Sequence, residues 1–180
     1  MEHVSNSSRL DSRTMKKSLP IRASKILVTF GIGCLAFVVA FNNVVDYQSN
    51  FLFVQHVMSM DTVYPGNALK HRAITNPLLH SMAYMFIILC EFVTAALCLA
   101  GSLRLLTRIN SDAEMFNKAK LLSVLGLSSG FALWFFGFMV IGAEWFGMWQ
   151  SRDWNGQESA FRFVVFIVLA LIYVVRDDND

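Results

Sequence analysis

Charge is scarce in this chain. Only 16% of its 180 residues are Asp, Glu, Lys or Arg, where a soluble domain carries about a quarter. Neither sign dominates: fifteen basic and thirteen acidic residues leave a net charge of +2. That balance gives no electrostatic footprint for a nucleic-acid partner. Cysteine is scarce too, at three residues. An odd, small number excludes a disulfide-stapled secreted module. Cys34, Cys90 and Cys98 contain no C-x-x-C pair, so a dithiol redox centre is excluded as well. Also missing are G-x-S-x-G, a phosphate-binding glycine loop and H-E-x-x-H, and no motif marks an enzyme.

What the chain has instead is apolar mass. Hydrophobic residues make up 55%, with 16 Phe, 4 Trp and 4 Tyr, which excludes disorder over most of its length. Four apolar runs stand out, at 26–45, 78–103, 121–146 and about 158–175. A helix rises 1.5 Å per residue, so about 20 apolar residues cross a hydrocarbon core of roughly 30 Å. A lone segment in lipid must satisfy its own backbone, so each run predicts a helix. The alternation of a membrane β-barrel is absent. The expected fold is an all-α membrane protein, a four-helix transmembrane bundle. Residues 1–25 read as a disordered basic tail, 26–176 as one four-span domain with an outer loop at 46–77, and 177–180 as an acidic tail. The first run is long and preceded by 25 residues, so it reads as a retained span rather than a cleaved signal peptide.

Orientation follows from Lys and Arg. The N-terminal tail, the 104–120 loop and Arg176 hold eleven of them, and the other side holds Lys70, Arg72, Arg152 and Arg162. Both termini are therefore expected to be cytoplasmic, and the location expected is a bacterial inner membrane. Within the outer loop, residues 51–60 are too short to span and read as an interfacial helix. Tyr64-Pro65-Gly66-Asn67 reads as a turn. Pro77 suits the first turn of span two.

The order of these elements resembles a known family. The residues that carry the likeness are the run FVQHVMSMDT at 53–62, Arg72-Ala73-Ile74 with Pro77, then Tyr84 and Glu91. Trp134-Phe135, the run IGAEWFGMWQ at 141–150, Trp154-Asn155-Gly156-Gln157 and Phe161-Arg162 complete it. They resemble the prokaryotic family of predicted small integral membrane proteins called domain of unknown function 2165, over about 26–175. The resemblance implies the four-span architecture and brings no reaction, substrate or cofactor.

Glu91 is the most informative residue. Counted along span two it sits near mid-bilayer, where an unpaired charge costs about 2.5 kcal/mol or more. His80, Tyr84 and Thr94 project within about 40° of the same line at 100° per residue. Such a polar stripe is either interhelical glue or a ligand or proton site. Gly126, Gly130, Gly137 and Glu144 form a second stripe on span three by the same rule. Its Gly-xxx-Gly pair favours close packing of helices or protomers. Arg162 needs a carboxylate partner, and Glu91 and Glu144 are the two candidates. Trp145 and Trp149 read as an outer aromatic belt, where a quinone ring has surfaces to stack on. A haem needs two facing imidazoles, and only His80 and His56 approach that requirement. No zinc spacing is present, and no cofactor is predicted.

Two functions follow. One is a non-enzymatic accessory or assembly subunit, a homo-oligomer or part of a larger membrane complex. The alternative is a small-molecule or proton site in an outward-facing polar pocket. That pocket would be built from Asn42, Asn43, His80, Tyr84, Glu91, Glu144 and Arg162, with Glu91 at its floor and Trp145 and Trp149 at its rim.

Overall fold

The computed structural model describes residues 2–179, with side chains from residue 19 onward. Six α-helices follow one another: α1 (Glu2–Val45), α2 (Tyr47–Ser59), α3 (Pro77–Thr107), α4 (Ala113–Ala119), α5 (Leu121–Phe131) and α6 (Gln157–Val175). After α5 the helix continues as a π-helix over Ala132–Trp145. Among the described residues, four stretches are long and apolar enough to cross a membrane: Leu19–Val45, Pro77–Thr107, Ala113–Trp145 and Gln157–Val175. They make a four-helix membrane bundle, and their even number brings both ends of the chain to one side.

The first span extends back beyond the expected position 26, as far as Leu19, the first residue whose side chain is described. Most of the expected disordered tail lies outside the residues whose side chains are described. From Leu19 to Lys25, however, the chain is helical, and Arg22 and Lys25 are buried. Their charges find partners inside the fold, so they do not end the helix there. Span two starts at Pro77 as its rigid ring favours, with the Asn76 side chain accepting from the Leu78 N–H at 2.9 Å.

Small residues decide how the helices approach. A Cβ on Gly101 would lie 2.6 Å from the Ser123 backbone nitrogen, and one on Gly126 would lie 2.7 Å from that of Cys98. A Cβ on Gly130 would meet Thr94 Cγ2 at 3.0 Å. These three contacts bring α3 and α5 together, the close approach that small residues permit in lipid. The larger apolar side chains fill the rest. Trp134 stacks on Phe163 with centroids 4.5 Å apart, and Leu127, Ile167 and Ala170 are buried beside them.

Within the outer loop, the segment expected at the membrane surface is a helix that packs on the bundle. Val54, Val57 and Met60 are buried, and α2 packs down on the bundle. Tyr47 meets Tyr84 edge-on at 4.7 Å. Apolar area on that face of α2 is therefore removed from water by protein. Polar ties hold the cap. The Ile74 N–H donates to Met58 O at 2.8 Å. Gln150 Oε1 accepts from the Tyr64 N–H and from Asn67 Nδ2, each at 3.0 Å. The expected turn is present, with the Asn67 N–H donating to Tyr64 O and Gly66 at φ +80°, a conformation that needs glycine or asparagine.

Candidate functional site

Glu91 is 1% exposed, facing α1. Asn43 Nδ2 donates to both of its carboxylate oxygens, at 3.0 and 2.8 Å. The Tyr84 hydroxyl donates to the Asn43 backbone carbonyl at 2.9 Å. One residue of α1 thus satisfies two polar groups of α3. Asn43 lies eighteen residues after Lys25, or about 27 Å along a helix axis. Its partner Glu91 lies fourteen residues after Pro77, near the middle of α3.

The other members of the predicted pocket do not join this pair. Arg162 Nη2 donates to Glu158 Oε1 at 3.0 Å, one helical turn away on α6. It reaches neither Glu91 nor Glu144, because both Arg162 and Glu158 point to the exterior. Glu144 and Asn42 are exposed. His80 is buried on the predicted line, and its Nε2–H donates to the Ile74 carbonyl at 2.7 Å. It fastens the segment before α3 rather than facing Glu91. Trp145 and Trp149 are exposed, with Arg72 over the Trp145 ring at 4.4 Å and Tyr64 edge-on to Trp149. They suit an outer aromatic belt and do not ring Glu91. His56 stacks on Trp154 at 4.4 Å and pairs with Asp61 at 2.7 Å. Among the described residues no three His, Cys, Asp or Glu gather as metal ligands.

The glycine stripe divides in two. Gly126 and Gly130 pack against α3, while a Cβ on Gly137 would meet nothing nearer than Leu133 Cδ1 at 3.7 Å. The cause is the π-helix. There each N–H reaches back five residues, as Phe146 does to Ile141 O at 3.0 Å. Faces projected at the α-helical step fail over such a stretch, which turns Glu144 outward.

The π-helix borders a cavity of about 430 Å³ that sequence reasoning missed. Its walls come from α3 between Ala83 and Cys90 and from the chain between Ser129 and Gly142, with α2 above. The lining is almost wholly apolar. Glu91 is not part of it.

The sequence also hid a buried ionic cluster at the opposite end of the bundle. Lys25 Nζ and Lys120 Nζ each lie 2.7 Å from Asp178 Oδ2, and both also donate to Arg176 O at 2.6 Å. Arg22 Nε is 4.0 Å from Asp178 Oδ1, and its Nη1 donates to Ile109 O at 3.1 Å. Asn117 clasps the Asp178 backbone with two hydrogen bonds of 3.0 Å. Burial by itself raises the Asp178 carboxyl; the hydrogen bonds from Lys120 and Lys25 outweigh it and hold the group below the usual carboxylate range. The available signal was the pairing of edge-of-span cations with the acids that follow the last span.

These features define a small multi-pass integral membrane protein. The family model described as "Predicted small integral membrane protein (DUF2165)" matches residues 21–177, and the chain belongs to that family. No curated protein and no solved structure matches it.

Proposed function

We propose that the protein is a non-enzymatic accessory or assembly subunit of a bacterial inner membrane, working by packing on itself or on a larger membrane complex. The observation that carries this reading is the closure of Glu91 on Asn43. The acid best placed for chemistry is occupied in joining α1 to α3. Interhelical polar contacts of this kind are ordinary glue in membrane bundles. The wide apolar faces that remain exposed, such as Leu27, Phe30 and Phe41 on α1, suit lateral association as well as lipid contact.

A second reading, proton exchange or small-molecule capture at Glu91, rests on one observation. Asn43 is only half-buried, so a single side chain separates Glu91 from the exterior of the bundle. One experiment separates the two. Protein purified from its native host in mild detergent is weighed, its companions are identified, and its visible spectrum is recorded. A stoichiometric larger partner, or a defined homo-oligomer, supports the accessory role. A colourless lone chain whose Glu91→Gln variant folds but abolishes the host phenotype refutes it and favours the second reading.

A further inference from the structure

Well-packed interiors hold few voids larger than a water molecule, yet this bundle holds a cavity of about 430 Å³. That volume falls in the range of small-ligand sites, roughly 300–1,000 Å³. The roof includes Val54 and Val57 of α2 and Met148, all buried. Water on the loop side is thereby kept out. The lips are different: Phe86 of α3 is 64% exposed, and Phe136 and Ile141 of the π-helix are 52% and 49% exposed. All three lie within membrane-spanning stretches. The cavity therefore opens sideways, into hydrocarbon.

The candidates for its content are few. Water needs two to four polar partners at such a site. The wall offers almost none, and its Ser129 hydroxyl is already bonded to Thr94 Oγ1 at 3.1 Å. A volume of about 430 Å³ is too small to hold a transmembrane helix, 10–12 Å across with its side chains. An empty hole forfeits the dispersion contacts of its whole lining. A flexible hydrocarbon chain meets each requirement. It is present at high concentration at the mouth, needs no polar partner, and bends to fit.

We propose that this cavity is a lateral binding site for one hydrocarbon tail of a bilayer phospholipid, entering between Phe86 and Phe136. The π-helix shapes its wall, and π segments are frequent at functional sites. The site stands apart from Glu91 and does not depend on the accessory role proposed above.

The test uses the full chain in phosphatidylcholine vesicles doped with a phosphatidylcholine whose acyl chain ends in a photoreactive diazirine. After illumination, labelled residues are mapped by mass spectrometry. Labelling should concentrate on the cavity walls at 83–90 and 132–142, about ten-fold above that on the α6 lipid face at Phe166 and Leu169, as a site rather than a surface requires. Gly137→Leu, where an added Cβ meets nothing closer than 3.7 Å, and separately Ala83→Leu should each lower the cavity signal and spare the α6 signal. Size-exclusion chromatography checks that each variant remains folded. Equal labelling of cavity and α6 face would mean annular lipid only and overturn the proposal. So would a folded filled variant labelled like the wild type.

Discussion

Replacing Asp178 by Asn removes one charge and almost no volume, and the cluster around it sets the cost. The Asp178 and Lys25 side chains are each 2% exposed, and that of Lys120 is 6% exposed. Both ammonium groups lose their carboxylate, and Arg22 loses a neighbour at 4.0 Å. Breaking a buried pair by deleting one partner costs about 3–5 kcal/mol. The lysines keep Arg176 O, and Lys120 keeps Asn117 Oδ1 at 2.7 Å, which favours the lower end, about 3 kcal/mol. For a chain of this size 1 kcal/mol moves the midpoint by about 2–4 °C, so Asp178→Asn should lower Tm by about 6–12 °C. The assay is loss of the monodisperse peak after heating in mild detergent. The exposed pair Lys118–Glu114 is the control, and Glu114→Gln should not move the midpoint measurably. A drop below about 2 °C for Asp178→Asn would refute the reasoning, since the cluster would then be screened like a surface pair. The pH dependence has a definite sign. A carboxyl held low in the fold contributes stability that is full above its unfolded value near 3.9 and lost as pH falls through the folded value. Tm should therefore stay flat with respect to this group from pH 8 to 5 and fall below about pH 4.

Asn43→Leu should destabilise more than Glu91→Gln, because it leaves a buried carboxylate without its donor, a loss of about 1–3 kcal/mol or more; detergent melting of the two variants compares them. Gly126→Ala should cost about 1–3 kcal/mol by forcing α5 off the Cys98 backbone. Gly137→Ala should change Tm little, since its added Cβ makes only ordinary contact, and the two melted side by side test the division of the glycine stripe. Gln150→Ala removes the acceptor for Tyr64 and Asn67, and should speed proteolysis at Tyr64–Asn67 while leaving the melting of the four spans unchanged.

Hydropathy made the four crossings legible, because span length and apolar content are properties of sequence alone. It also exposed Glu91, as one acid in an apolar run. The partner of Glu91 was less accessible. Asn43 was among the candidates, but helix projections order residues within one helix and say nothing of how a neighbouring helix is offset. The same limit produced two wrong options for Arg162, whose partner Glu158 is on its own helix. The π-helix was not legible, since its apolar composition is the same whichever carbonyl each N–H selects. The angular arithmetic for Gly137 and Glu144 failed with it, and the cavity it borders went unseen. The ionic cluster was hidden for a different reason. Lys25 and Asp178 are 153 residues apart, and the charges at each end were read as solvated tails.

That separation orders the making of the molecule. Asn43 and Glu91 are 48 residues apart, so at about 5–20 residues per second their tie becomes available within seconds of the first span's synthesis. Lys25 waits about 8–30 s for Asp178 by the same rate. Until then its end of the bundle holds three cations without their shared acid. The outer clasp is thus a fastening for a half-made protein, and the inner one is a bolt that closes only when α6 has arrived.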